Sequence, residues 1–340
     1  MTDGLRDGGD GGDGAATSHD VVVIGGSVAG LSAALALGRA RRAVAVVDDG
    51  TPRNAPAEHL HTFLSRDGSS PGELLAAGRE EVAGYGCELV ADRAVAVDGA
   101  CGRFTVELAS GRVLSARRLV LAAGVRDQLP DIPGMAERWG VDVVHCPYCY
   151  GFELADQRLG VLGIGADPVR KALTIRHWSA DTTLFLHTAA ALSAAQRQLL
   201  EANGVDVVAG EVVGLQIEDS GPGERRGGGR RLTGVRLSSS AVHPVAALFL
   251  TPWCALRDAP FAALGLATED GPLGTAVVAD ASGLTSVPGV WAAGSAVSPG
   301  AQLIHAAASG SRAGIAVNNE LIATDAARRA DAARSRPHPA

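Results

Sequence analysis

Dense positive charge is the first thing this sequence lacks. Net charge is −7 and no block of Lys and Arg interrupts it, so phosphate neutralisation does not explain the chain and nucleic-acid binding is excluded as its main business. No apolar run reaches the roughly 18–20 residues that a bilayer-spanning helix needs. The first residues are Gly- and Asp-rich (DGGDGGDG), without the positive n-region and apolar h-region of a secretory signal. A cytoplasmic protein that does not enter a membrane is therefore expected. Cysteine is scarce too: five residues in 340 do not make a disulfide scaffold. Cys87, Cys101 and Cys254 stand alone and are expected to be buried bystanders. Cys146 and Cys149 stand two residues apart and need another explanation. No second CxxC and no HxxxH accompanies them, so a zinc site would lack its remaining ligands, and no metal is assigned.

What is present is ample core material. The hydrophobic fraction is 46% and mean hydropathy is +0.14, with much of it Ala and with 44 Gly. That composition suits short strands, tight turns and close helix–sheet packing. The length points to two domains. Asp20–Ile24 (DVVVI) has the β-branched content of a buried parallel strand. A glycine turn follows, then Leu31–Arg41 at helical spacing, then Ala43–Val47 as a second buried strand closing at Asp48: one βαβ unit. Arg118–Ala123 (RLVLAA) is another strand, ending at Gly124, and Leu129–Gly134 (LPDIPG) is a linker. A second unit opens at Arg158–Leu162, turns at Gly163-Ile164-Gly165, and continues as a helix from Pro168 to about Ser179 and a strand at Thr182–His187. Gly221–Arg231 is expected to be a flexible hairpin tip. Val290–Gly294 repeats the strand-then-glycine pattern, and Ala301–Leu321 forms a final long helix. Met1 to Ser18 and Ala326 to Ala340 are expected to be disordered tails.

Gly25-Gly26-Ser27-Val28-Ala29-Gly30 is a dinucleotide fingerprint with serine at the middle position. Gly25 makes the tight turn, the small Ser27 lets backbone N–H groups approach a pyrophosphate, and Gly30 allows helix–strand contact. The phosphates would lie at the positive end of the helix. Asp48 is placed to accept hydrogen bonds from the adenosine ribose, with Asp49 the lesser candidate. The second motif is poorer. Asp167 reads as an N-cap and Pro168 as the first helical residue. A carboxylate there competes with any phosphate for the same N–H groups, so this unit either binds a nucleotide weakly or keeps only the fold. In Cys146-Pro147-Tyr148-Cys149 the proline fits the first helical position, which puts Cys146 at the cap, where a thiolate is favoured. A structural disulfide is unusual in a cytoplasmic protein, and redox chemistry accounts for the pair better.

The order of these motifs resembles the low-molecular-weight thioredoxin reductases: an N-terminal fingerprint, an LAAG segment, a mid-chain CxxC, a second βαβ unit and a C-terminal AAG before a helix. The likeness runs from about Asp20 to Leu321. Glutaredoxins share the tetrapeptide but carry it near the N-terminus of a small domain. The resemblance implies an α/β fold of two Rossmann-like domains. A discontinuous FAD domain would span residues 18–130 and 254–325. An inserted NAD(P)-type domain at 131–253 would carry the cysteines, with 1–17 and 326–340 left as tails. It also implies that Cys149 faces the flavin and Cys146 exchanges with substrate. Ala122, Ala123 and Gly124 would contact FAD, Gly294 and Gln302 would touch the ribityl chain and ring edge, and the assembly would be a homodimer.

Several positions depart from the reductase pattern. Ser295 stands where an Asp usually bonds the ribityl hydroxyls. Tyr150 follows the second cysteine, where reductases have an acid and the related gliotoxin- and holomycin-type dithiol oxidases often have His. Pro168 replaces the usual Ala. The His-Arg-Arg run that grips the NADPH 2′-phosphate reads His187-Thr188-Ala189, without either arginine. These changes favour the dithiol-oxidase branch, in which a small-molecule or peptide dithiol reduces the cysteine pair and oxygen accepts the electrons. An NAD(P)H-driven disulfide reductase and a non-catalytic flavin redox sensor are the alternatives. His305, in the first turn of the last helix, is the candidate acid/base. His59, His61 and His145 could line a substrate pocket, although solvated or core positions fit such histidines better.

Overall fold

The computed structural model describes residues 17–220 and 229–335. Strand β1 (Thr17–Ile24) leads into helix α1 (Val28–Arg39) and strand β2 (Val44–Asp48), the expected first unit. Val21, Val22 and Val23 are wholly buried because β1 is covered on both faces. Helix α2 (Pro71–Gly84) starts at a capping box in which Ser70 and Glu73 satisfy each other's backbone N–H, and it delivers β3 (Glu88–Ala91) to the sheet edge. β4 (Ala94–Ala100), β5 (Arg103–Leu108) and β6 (Val113–Leu121) follow as an antiparallel meander. The resulting order is β3-β2-β1-β6-β5-β4.

β7 (Val125–Gln128) leaves this sheet, and α3 (Met135–Arg138), β8 (Val143–Val144) and α4 (Pro147–Tyr150) come next. The second unit is β9 (Leu159–Leu162), α5 (Pro168–Ile175), β10 (Thr182–Phe185), α6 (Ala194–Ala202) and β11 (Val205–Val208). β12 (Val212–Asp219), β13 (Arg230–Leu237) and β14 (Val242–Pro244) form an antiparallel layer, and β15 (Ala247–Phe249) returns to complete a parallel sheet of order β11-β10-β9-β15-β8. β16 (Trp253–Leu256), β17 (Thr268–Gly271) and β18 (Gly274–Val277) join β7 in a four-stranded sheet. β19 (Val290–Ala292) then pairs in parallel with the end of β6, and α7 (Leu303–Arg334) closes the chain. The fold is α/β with two Rossmann-type units, the first completed by chain that returns after the second. Among the described residues no helix is long and apolar enough to cross a membrane.

Helix α7 packs along α1 closely enough that a Cβ at Gly310 would lie 1.9 Å from the Ala29 carbonyl oxygen. Its length corrects the sequence-based expectation of a tail from Ala326. The helix runs on to Arg334 because Asp325 is held by Arg42 at 2.9 Å and by Arg117, one turn beyond the Arg118–Glu320 pair. Thr17 and Ser18, expected in the other tail, pair with Leu114 and Ser115 as the start of β1. Residues 1–16 and 336–340, and residues 221–228 of the expected hairpin tip, lie outside the described residues. The strand expected at Arg118–Ala123 begins earlier, at Val113, and stops at Leu121. The helix expected to reach Ser179 ends at Ile175. Cys101 is exposed rather than buried, since it sits with Gly102 at the tip of the β4–β5 hairpin.

β7 and β16 pair antiparallel where the chain leaves the first sheet and where it comes back, with Cys254 opposite Asp127. Arg53, from the loop after β2, pins this pair. Its guanidinium forks onto the Asp127 carboxylate at 2.9 and 2.6 Å, donates to the Pro299 carbonyl at 2.8 Å, and reaches Cys254 Sγ at 3.3 Å. Burial would lower the Arg53 pKa, but Asp127 outweighs it and the net shift is upward. Burial also pushes the Cys254 thiol up to about 11, so it stays protonated against the pair. Arg53→Met would strand the Asp127 carboxylate, which is 6% exposed. The expected cost is about 3–5 kcal/mol, read as a lower thermal midpoint. Adding Asp127→Leu should recover at least half of the loss, because neither charge is then stranded. An Arg53→Met protein that melts with its parent would show that the pin holds nothing.

Candidate active site

The C-terminal ends of β1, β2, β6 and β19 meet at one edge of the first sheet, the place where an open α/β sheet binds its ligand. The Gly25 N–H bonds to the Val47 carbonyl at 2.8 Å, and the Ala122 N–H to the Ile24 carbonyl at 2.7 Å, which stitches the three strand ends together. Gly25 adopts φ +107°, and a Cβ on it would sit 2.2 Å from the Ala122 carbonyl oxygen; one on Gly30 would sit 1.8 Å from the Gly25 carbonyl oxygen. Neither position tolerates a side chain. Ser27 is the N-cap of α1 but makes no side-chain capping bond, so the first N–H groups of that helix point at the cavity uncapped. Asp48 lies against Gly26 and is held by Arg79 at 3.1 Å.

A cavity of about 730 Å³ runs over this edge. It is lined by Gly25, Gly26, Ser27, Ala29, Asp48, Ala122, Ala123, Gly124, Gly294, Ser295 and Gln302. Gly30 is behind it, packed on Gly25. Residues with no readable motif complete the wall: Asp92–Val95, the loop from Thr51 to Thr62, and Leu256–Phe261. Ser309 also escaped sequence analysis, although its hydroxyl fixes the Gly294 N–H at 2.9 Å. Most of these residues sit on loops or at strand ends, where hydrophobic periodicity carries little signal, and Ser309 is one polar position within α7. His59, His61 and His145 border the cavity, His59 as an exposed side chain in keeping with the solvated position expected of it. His61 lies 3.3 Å from both Asp67 and Glu153, bridging the loop to the segment after the cysteines.

Cys146 and Cys149 form a disulfide in the same cavity wall. Cys146 is the N-cap of α4 and Pro147 its first residue, as the sequence indicates. Cys146 is only 9% exposed, and Cys149 is the more open of the two. Tyr150 cannot serve as a free acid: its hydroxyl donates to the Gly140 carbonyl at 3.2 Å. His145 stacks near Trp139, and its pKa falls to about 3 through burial, then through the Arg53 and Lys171 cations, with Asp127 opposing. It is therefore neutral at working pH.

His305 does not join this group. It is exposed and outside the cavity lining, which takes Gln302, Leu303 and Ala306 from the same turn. At about 100° per residue, position 305 falls roughly 100° away from the face those three share. His305 is therefore not among the groups that this cavity brings together. In the second unit, Asp167 caps its own helix, accepting from the Arg170 N–H at 2.9 Å and lying 3.4 Å from the Arg170 side chain. His187 has φ +47° and its Nδ1 accepts from the Val212 N–H at 3.1 Å, so its ring is committed to the fold.

Known proteins with this arrangement are plentiful. HlmI superposes with a TM-score of 0.84 at 46% identity, over 95% of this chain and 99% of that one. Thioredoxin reductase tcpT from Claviceps purpurea is 35% identical over 202 residues, 57% of this chain and 58% of its own length. Thioredoxin reductase aclD from Aspergillus oryzae is 38% identical over 172 residues, 48% of this chain and 53% of its own. The chain thus spans less than two thirds of these two curated relatives. Residues 19–311 match the family described as pyridine nucleotide-disulphide oxidoreductase. That match begins inside β1 and ends within α7, taking in both Rossmann-type units and the cysteine pair between β8 and β9, and the chain belongs to the pyridine nucleotide-disulphide oxidoreductase family.

Proposed function

We propose that this protein is an FAD-dependent thiol–disulfide oxidoreductase that closes disulfides in small-molecule or peptide dithiols, with oxygen as electron acceptor. One observation carries the reading: the Cys146–Cys149 disulfide lines the same cavity as the dinucleotide fingerprint. The residues fit FAD. The clash-limited backbone at Gly25 and Gly30 leaves room for a pyrophosphate at the uncapped start of α1. Asp48 would hold the adenosine ribose; Ala122, Ala123, Gly124, Gly294, Ser295 and Gln302 would hold the rest. Gly26, Ser27 and Ala29 line the phosphate end. When bound, FAD supplies a two-electron acceptor for the reduced cysteine pair.

The chain's own chemistry is thiol–disulfide exchange. A substrate thiolate attacks Cys146 Sγ, the Cys146–Cys149 bond breaks, and Cys149 leaves as thiolate. The second substrate thiolate attacks the substrate sulfur of the mixed disulfide and expels Cys146. Substrate has then lost two electrons and two protons, and the pair has gained the electrons. Overall, dithiol and oxygen become disulfide and hydrogen peroxide. The assembly we propose is a homodimer, for which Ile315 and Ile322, exposed seven residues apart on α7, offer apolar surface.

The NAD(P)H-driven reductase reading is favoured by the names of tcpT and aclD. Against it stand Asp167, whose carboxylate takes the Arg170 N–H and puts negative charge where a pyrophosphate would approach, and the lack of cations at Thr188 and Ala189. Each missing charge-assisted bond is worth about 1.5–3 kcal/mol, so NADPH binding should be weaker by about 10²-fold or more.

Two measurements bear on this. Mixed anaerobically with the flavin-loaded protein, a dithiol should bleach the flavin promptly, and millimolar NADPH slowly or not at all; NADH is the control that needs no 2′-phosphate grip. Peroxide should appear when air is readmitted. Bleaching by NADPH within one turnover, with disulfide reduction, would replace the oxidase by the reductase. No multiple turnover with any dithiol would leave the sensor. The second measurement assigns the thiols. Cys149→Ser should accumulate a mixed disulfide between Cys146 and an activated disulfide of the substrate type, seen by mass, whereas Cys146→Ser should not. The opposite pattern would reverse the roles.

A further inference from the structure

Arginine supplies almost every positive side chain here: among 30 Lys and Arg residues, Lys171 is the only lysine. It stands on α5, the helix that follows the second glycine motif, and its Nζ donates to the His145 carbonyl oxygen. That oxygen belongs to the peptide joining His145 to Cys146. Covalent geometry therefore keeps the ammonium within about 8 Å of Cys146 Sγ. Among the described residues, no carboxylate lies within ion-pair distance of Lys171, so its charge is not cancelled locally. Arg53, the other cation beside His145, is already neutralised by Asp127.

We propose that Lys171 is a positioning residue for disulfide exchange: its ammonium, anchored on the carbonyl before Cys146, stabilises the Cys146 thiolate and makes Cys146 the better leaving sulfur. This role rests on the assignment of Cys146 as the exchanging thiol. The other groups near the pair do not supply it. Tyr150 is uncharged and bonded to Gly140, and His145 is neutral. α4 is a single turn, over which few peptide dipoles align. On α5, Asp167 is engaged by Arg170 at the exposed end of the helix. Burial, and then Arg170, lower the Lys171 pKa to about 8. The ammonium is thus charged at neutral pH and loses its charge just above it, which no arginine does.

The test uses the flavin-loaded protein in a Cys101→Ser background, because Cys101 is exposed and would react as well. Protein reduced anaerobically is alkylated with iodoacetamide across a pH series, and each cysteine is followed by peptide mass. In Lys171→Met and Lys171→Gln the alkylation midpoint of Cys146 should move up by about one pH unit. The equilibrium with reduced and oxidised glutathione should shift several-fold toward the protein disulfide. Lys171→Arg should keep the parent midpoint. Gln retains an N–H donor for the His145 carbonyl without the charge, so a purely structural role would be rescued by Gln, and that result would overturn the proposal. Unchanged midpoints in both Met and Gln variants would overturn it as well. A shift confined to Cys149 would overturn the assignment of Cys146 instead, while leaving the coupling of Lys171 to the pair in evidence.

Discussion

The antiparallel pairing of β7 with β16 is the constraint on which the site depends. Four residues on each side join the departing and returning chain, and the Arg53–Asp127 fork holds a third segment, the loop after β2, against them. Each of the two larger sheets has its own buried core, the first completed by returning residues such as Val290 and Val317. What neither sheet contains is a complete site. The first carries the dinucleotide edge without the cysteine pair, and the second carries that pair without an uncapped helix start. Only the crossover places Cys146 and Cys149 in the wall above Gly25 and Ala122.

Charge around that wall is unequally compensated. Arg53 spends its charge on Asp127, and the buried Cys254 thiol beside them stays protonated. Among the described residues Lys171 has no such partner. The helix that carries it is capped by Asp167, which accepts from the Arg170 N–H. The second unit has the strand–turn–helix frame of a dinucleotide domain, and through Lys171 that frame also touches the segment before the cysteine pair. Sterically the frame is well suited to this: α5 packs Val169, Ala172 and Ile175 into the core, which leaves Lys171 facing the segment before Cys146.

Much of the fold and site was legible in the sequence for definite reasons. A buried parallel strand must be apolar on both faces, so DVVVI and AVAVV announce themselves. A backbone that passes 2.2 Å from where a Cβ would lie demands glycine, so Gly25 does too. The cap positions of Cys146 and Asp167 follow from proline's lack of an N–H. The antiparallel meander β4–β5 was not foreseen, although β5 alternates exposed and buried residues strictly; β4 does not, and one short alternating strand gives no partner. The extension of α7 depends on Asp325 meeting Arg42 and Arg117, distant partners that no local pattern reveals.

The sequence by itself determined the chemistry available: a glycine turn for a pyrophosphate, a carboxylate at Asp48, and two thiols with two residues between them. These are local requirements, set by sterics and by covalent spacing, and they are written in consecutive residues. Only the tertiary structure decided which groups share a cavity. It brought His145, His59 and His61 to the wall and turned His305 away from it, because a helix face and a loop path depend on what packs behind them. It also set Arg53 and Lys171 near His145, one paired with Asp127 and the other without a carboxylate partner among the described residues, since the charge a group feels depends on distance through space and not along the chain.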